Sequence, residues 1–542
     1  MNPPRIAQCS ALRLRPPWDT RTMRAAAGAA WNIPRAPGPT LQHAPNLTRR
    51  ASLIVLAKAV AFASTLALPL VIVRRMSPFE VGVFQQVALV IATLVTVLPL
   101  SVATSAYYFI PREPDRGPQV VLNVFSYSIA IALVASLLLI AYPGVLVFVL
   151  GNTAVAQYAP LLGVAVALFM LGSCGEPISL ARQEMKAATA FVIGFSFSRG
   201  VLMTAAGLIF ATVRSLLWAL IVHGAILSAA TIWYAARRYP AFWRSFDWPM
   251  ARRQLRYAAP LGLAGILLYV EVDLHNYFVS HIDGTVAFAI YSYGTFEVPL
   301  TGILNEAVGS VAIPRMSVLQ KLGDHREVVR LWSAVWRKMG AVLFPTAGLL
   351  LITSREFIVF LFTHRYEAAV PIFRVNLLLL PLAALVTDPV VRAYTSFHSA
   401  LVRIRIAIFV MLVLGLRVAT TRFGGLGAIS VVVAARAIEV AVVVTGLARV
   451  VGVRRADLRL LNDPLKLILA SAAAAATTGF LRTYLLAWRP FDILALCGAV
   501  YLAVYLAAVA ALGVPTREEC AIARRWLRAI PARLSRGIET AE

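Results

Sequence analysis

Apolar stretches long enough to cross a bilayer recur along nearly the whole chain, and no other feature limits its fold as strongly. A helix needs about 20 predominantly apolar residues to span the hydrocarbon core. Such stretches fall at roughly 52–73, 84–110, 120–142, 156–174, 190–212, 216–236 and 257–280. They continue at roughly 285–313, 340–362, 371–391, 404–421, 427–448, 465–487 and 491–513, about fourteen in all. The weakest, 404–421, carries Arg417 near one end. Of the 542 residues 60% are hydrophobic and 14% charged, against about 25% charged in soluble domains. Soluble cores cannot hide that much apolar surface. The composition excludes an ordinary cytosolic enzyme and a disordered or fibrous chain, and it predicts an all-α polytopic membrane protein.

Charge gives the orientation. The chain holds 51 Lys and Arg against 25 Asp and Glu, a formal net charge of +26. In a soluble protein that excess suggests nucleic acid; in a membrane protein it belongs in the cytoplasmic loops. With the N-terminus inside, the inner segments carry 38 of the 51 basic residues and the outer ones 10, while Lys58, Arg199 and Arg436 fall within spans. The alternation predicts cytoplasmic termini and assigns the excess to lipid and topology, not to nucleic acid. Residues 1–50, rich in Arg, Pro and Ala, read as a disordered basic leader. The tail 514–542 places Trp526, Leu527, Ile530, Leu534 and Ile538 among arginines, as a helix lying on anionic lipid or as a plain solvated segment. The four cysteines of the chain have no CxxC spacing and no histidine partner, so neither a disulfide framework nor zinc is expected.

Short echoes suggest a duplication. Ile110-Pro111-Arg112 ends the second span and Ile313-Pro314-Arg315 the eighth. Tyr158-Ala159-Pro160 opens the fourth, and Tyr366 to Pro371 precedes the tenth. The pattern divides the chain into a leader (1–50), two six-helix lobes (51–256 and 257–463), two further helices (464–513) and a tail (514–542).

The motifs also carry a resemblance. Arg75-Met-Ser-Pro-Phe-Glu-Val-Gly-Val-Phe84, Ala289-Ile-Tyr-Ser-Tyr293, Ile313-Pro-Arg-Met-Ser317, Phe362-Thr-His-Arg-Tyr366 and Phe423-Gly-Gly-Leu-Gly-Ala428 follow one another across roughly residues 50–515. In order and spacing the chain resembles the Wzx-type oligosaccharide-lipid flippases of the MOP superfamily, the polysaccharide biosynthesis proteins related to lipid II flippases and MATE exporters. The resemblance implies a MATE-like V of two six-helix lobes plus two extra helices, working by alternating access in the bacterial inner membrane. It implies a lipid-linked oligosaccharide as cargo, H+ or Na+ as possible coupling ions, and the polymerase and glycosyltransferases of the same pathway as possible partners.

Ionisable residues inside spans are expensive and so are functional candidates. Arg436 with Glu439 and Asp388 with Arg392 can neutralise each other on one helix face, and Glu271 with His275 can do the same. Lys58 either snorkels to the cytoplasmic surface or faces a cavity, where the resemblance implies contact with a diphosphate. Arg199, in mid-span without an acidic neighbour on its own helix, is expected to face the interior, against a carboxylate such as Glu297 or a substrate phosphate. Glu297 precedes Pro299, an expected break in the eighth helix. Asp273 lies about 200° around the helix from Glu271 and shares a face with Tyr269 and Asn276. The resemblance implies cation binding near this position, which makes Asp273 and Asn276 the candidate coupling group.

No GxxxxGK[ST] loop, HExxH, GxSxG or kinase signature is present. No cofactor or metal is expected, and the reading is of a transporter, not an enzyme. A MATE-like exporter of amphipathic molecules and an intramembrane polymerase or ligase of lipid-linked sugars are the alternatives.

Overall fold

A computed structural model describes residues 67–515 except 299, 455, 456, 458, 461 and 486. The basic leader, Lys58, most of the first expected span and the tail beyond 515 lie outside the described residues.

Among the described residues the chain is helical and has no strand. The principal helices are α1 (67–75), α2 (Pro78–Val97), α3 (Gly117–Ala141), α4 (Ala159–Gly172), α5 (Met185–Ile209), α6 (Val213–Arg238) and α7 (Trp248–Asp283). They continue as α8 (Thr285–Gly294), α9 (Leu300–Lys321), α10 (His325–Ile352), α11 (Val370–Asn376), α12 (His398–Val451), α13 (Asn462–Thr483) and α14 (Pro490–Ala511). By length and composition ten of the described helices can cross a membrane, or up to eleven if the bent α7 is one span. The connections are short and locally coded. Ser77 caps α2 by a reciprocal box, its hydroxyl accepting from the Glu80 amide at 3.3 Å while the Glu80 carboxylate accepts from the Ser77 amide at 3.0 Å.

Several expected spans differ in detail. The stretch expected as one helix over 84–110 begins earlier and breaks: α2 ends at Val97, Leu100 and Ser101 take positive φ, and a separate short helix, Ala106–Arg112, follows. The stretch over 285–313 is interrupted between α8 and α9. The seventh helix is longer than expected and bends by 43° between Leu267 and Tyr269. The eleventh and twelfth are the two arms of α12, turned at Gly424 (φ 57°, ψ −148°). In a straight helix Gly415 and Val431 would stand about 24 Å apart. Here a Cβ on Gly415 would come within 2.9 Å of Val431, so the arms fold back on each other.

The helices alternate between two loop faces. One face, holding residues 76–77, 142–158, 210–212, 284, 353–369, 424 and 484–489, is poor in arginine; the opposite face carries the arginine-rich segment 237–256. In the N-terminal half α6 packs on α4 and α5, and α4 on α3. In the C-terminal half α7 packs on α12, α10 on α13, and α13 on α14. Towards the arginine-rich face each half keeps its own core. Phe109, Val121, Ile178 and Tyr239 form one, and Met316, Trp332, Tyr394 and Leu447 the other. Towards the arginine-poor face a single core runs through both halves, joining Ile72, Val83 and Val87 to Ala289, Tyr293, Phe362 and Phe373. The halves are sealed at one end and remain separate cores at the other.

Candidate functional site

The site lies where α2, α7 and α8 meet. At the sealed end α2 lies so close to α8 that a Cβ on Gly82 would fall on the carbonyl oxygen of Thr285. Just below this contact is a buried polar knot. Gln86 Nε2 donates to Ser280 Oγ (2.8 Å), Asn152 Nδ2 donates to Gln86 Oε1 (2.6 Å), and Ser280 Oγ donates to the Leu150 carbonyl (3.1 Å). All three side chains are buried. Each finds a partner, as polar groups at this depth must. Arg74, at the end of α1, donates to the Leu361 and Phe360 carbonyls (3.0 and 2.8 Å) and so fastens the same face to the connector before α11.

Deeper, the contacts become polar and half-buried. Tyr277 of α7 donates to Thr93 Oγ1 of α2 at 2.6 Å. One turn further down α7 lies Asp273, whose Oδ1 accepts from Asn276 Nδ2 at 3.1 Å, and the Tyr269 hydroxyl faces both the same carboxylate and Thr93. Asp273 sits ten residues before the end of α7, about 15 Å along the axis, which is mid-depth in a hydrocarbon core of about 30 Å. The carboxylate is half-buried and has no cationic partner among the described residues.

Glu271 points elsewhere, as its angular offset from Asp273 requires. It lies 3.6 Å from Arg405 Nη1, and Arg405 reaches Glu439 at 3.8 Å, which Arg436 holds at 2.6 Å. Two carboxylates and two guanidinium groups thus balance within α7 and the arms of α12. The expected Arg436–Glu439 pair forms, as does Asp388–Arg392 at 2.8 Å. The expected Glu271–His275 pair does not. His275 Nδ1 instead bonds the Tyr291 hydroxyl of α8 at 2.8 Å, because a longer-range partner outcompetes the neighbour one turn away.

Arg199, also at mid-depth, lies on the α5 face shared with Phe195, Met203 and Ala206, which turns towards the body of the N-terminal half. It is nevertheless exposed. Its neighbour in the interior is His223 of α6, which is fully buried between the rings of Phe169 and Phe195 and bonded through Nδ1 to Ser198 at 2.9 Å. No carboxylate pairs with Arg199 among the described residues, and Glu297 is not its partner. Glu297 is exposed in the break between α8 and α9. The structure therefore brings Asp273, Asn276 and Tyr269 together and leaves Arg199 and Glu297 apart. Thr93, Tyr277, Gln86, Asn152 and Ser280 complete the seam. Sequence reasoning missed these five, although the paired glutamines at 85 and 86 inside an apolar run could have pointed to them. No group of three potential metal ligands occurs among the described residues.

The described helices thus form two halves joined by one core at one face, with a polar, ionisable seam at mid-depth. Residues 71–371, more than half of the chain, match the family described as "Polysaccharide biosynthesis protein", and the chain belongs to that family. No curated protein matches it. Among solved structures it is similar to a lipid II flippase MurJ in an inward closed conformation, with TM-score 0.66 and 15% identity over 84% of this chain and 98% of that one. It is also similar to an inward-facing multidrug-resistance MATE transporter of the MOP superfamily, with TM-score 0.59 and 13% identity over 74% of this chain and 98% of the other. These likenesses show that the chain shares the fold of those two proteins.

Proposed function

We propose that the protein flips a polyprenyl-diphosphate-linked oligosaccharide across the bacterial inner membrane by alternating access, without altering it chemically. The supporting observation is the pairing of one core sealed across both halves at the arginine-poor face with two separate cores at the other, leaving the Asp273 seam between them. The basic excess assigns the arginine-rich face to the cytoplasm, so the cleft opens to the leaflet where the cargo is made. The lobes 51–256 and 257–463 rock about the α2–α7–α8 contact. The polar headgroup cannot cross hydrocarbon unaided; a wet cleft carries it while the lipid tail stays in the bilayer. Arg199, Glu297 and Lys58 are the candidate headgroup contacts. Asp273 and Asn276 are the candidate H+ or Na+ site.

A second reading, an exporter of amphipathic cations, draws on the same Asp273 carboxylate, which has no cationic partner among the described residues. Proteoliposomes loaded with a labelled lipid-linked oligosaccharide separate the two. Protein-dependent passage to the opposite leaflet, lost when Arg199 and Asp273 are both alanine, supports the flippase. Absence of passage together with efflux of an amphipathic dye supports the exporter.

A further inference from the structure

Away from the seam, α5 and α6 enclose an apolar groove of about 370 Å³, walled by Ala190, Gly194 and Phe197 on one side and Ile226, Ala230 and Trp233 on the other. Two lining residues carry hydroxyls, and both are turned out of it. Ser198 Oγ is taken up by the Gly194 carbonyl and by His223 Nδ1, and the Tyr234 hydroxyl by Glu184 Oε2 at 3.0 Å. Apart from the Trp233 indole N–H, the remaining side chains of the wall are hydrocarbon. Small residues make the space: a Cβ on Gly194 would meet no atom within 4 Å.

The groove has a direction. Its α5 wall runs from Ala187 to Ser198, about 16 Å at 1.5 Å per residue, which matches one leaflet of a hydrocarbon core of about 30 Å. It starts at the arginine-rich face, where α5 begins and α6 ends. The mouth there is cationic. Lys186 precedes the first lining residue and is exposed, and the exposed Arg237 stacks over the Trp233 ring at 4.9 Å. Arg238 is already committed to Glu184 at 3.0 Å. An apolar slot one leaflet deep, with an indole and two cations at its lip, complements a molecule with one straight chain to insert and a phosphate at the boundary.

We infer that this groove seats one acyl chain of an anionic glycerophospholipid from the arginine-rich leaflet, with its phosphate held by Lys186 and Arg237. The site belongs to the N-terminal half alone and touches neither α2, α7 nor α8, so it is separate from the cleft. Its occupant is a resident lipid and not the cargo.

The test uses the full chain in nanodiscs of phosphatidylcholine containing a minority of phosphatidylglycerol, extracted and read by native mass spectrometry for retained lipid. The wild type is expected to keep phosphatidylglycerol in preference to phosphatidylcholine. Gly194→Phe, which fills the slot, is expected to abolish that retention. Lys186→Gln with Arg237→Gln, a surface change that leaves the slot intact, is expected to weaken it about thirtyfold, from about fivefold per cation. Equal retention of both lipids by the wild type, or unchanged retention in either variant, overturns the inference. Displacement of the phosphatidylglycerol by an equimolar polyprenyl diphosphate overturns it too, since the groove would then be a cargo site.

Discussion

The Tyr277 hydroxyl donates to Thr93 Oγ1 at 2.6 Å, tying α7 to α2 directly above the Asp273 carboxylate. The bond lies on the cleft side of the sealed face, so the proposed change of access requires it to break. Tyr277→Phe removes the donor and keeps the ring. A hydrogen bond of this kind contributes about 1 kcal/mol, so the opening equilibrium at the arginine-poor face is expected to rise about fivefold. Spin labels at the exposed positions Phe79 and Val286 would report a larger long-distance population by double electron–electron resonance. An unchanged distribution would show that the seam does not hold the gate.

The α2–α8 contact depends on a missing side chain. Gly82→Val would drive a Cβ into the Thr285 carbonyl and bring it within 2.8 Å of Thr285 Cγ2, both on a packed helix start that cannot yield cheaply. Flipping in proteoliposomes is expected to fall at least about tenfold, equivalent to about 1.4 kcal/mol against the sealed state. Gly302→Ala, where a Cβ meets nothing within 4 Å, serves as the control and should transport normally. Equal loss in both variants would count against a specific role for the α2–α8 contact.

What could be read in the sequence was what is local along a helix. Asp273, Asn276 and Tyr269 share a face by their spacing alone, and the Arg436–Glu439 and Asp388–Arg392 pairs follow from a turn of helix. The breaks at Leu100–Ser101 and between α8 and α9 sit in runs whose hydropathy gives no warning, and a single proline beside each, Pro99 and Pro299, is the only hint. The partners that decide the seam are far apart in the chain, and nothing local selects them: Gln86 with Asn152 and Ser280, Thr93 with Tyr277, and His275 with Tyr291. Arg405 is the plainest case. By position it reads as one more arginine of a cytoplasmic loop, yet the folded chain places it between Glu271 and Glu439.

Asp273 supplies a test of ion coupling. If it is the coupling carboxylate, Asp273→Asn keeps the bond with Asn276 possible but removes the charge that an entering H+ or Na+ would neutralise. Transport by the wild type should respond to an imposed pH or sodium gradient, and transport by the variant should be slower and indifferent to both. A variant that still follows the gradient would move the coupling elsewhere.

A pH effect is expected at the arginine-rich face. Burial pushes the Glu184 carboxyl up, but hydrogen bonds from Arg182 and Tyr234 and the charge of Arg238 outweigh it and hold the group below the usual 4.5. A carboxylate depressed in the folded state stabilises it above its ordinary range, and that contribution is lost as pH falls through the lowered value. Below about pH 4.5 the wild type should therefore lose thermal stability faster than Glu184→Gln, and the difference between them should shrink towards zero in acid. Parallel Tm curves for the two proteins in detergent would refute the assignment.

The balance of charge inside the C-terminal half makes the last prediction. Arg405 is the only described group that touches both Glu271 and Glu439, whose side chains are 15% and 7% exposed. Arg405→Met leaves Arg436 to serve Glu439 and strands Glu271 beside another carboxylate in a low-dielectric setting. Removing one member of a fully buried ion pair costs about 3–5 kcal/mol, chiefly because the remaining charge is uncompensated, and the partial exposure of Arg405 and Glu271 brings the cost here below that range. The single variant should accordingly unfold well below the wild type. Arg405→Met combined with Glu271→Gln removes the stranded charge and should recover most of the loss, a non-additivity that distinguishes electrostatic balance from simple packing. If the double variant is no more stable than Arg405→Met, the arginine acts through its bulk between the arms of α12 and not through its charge.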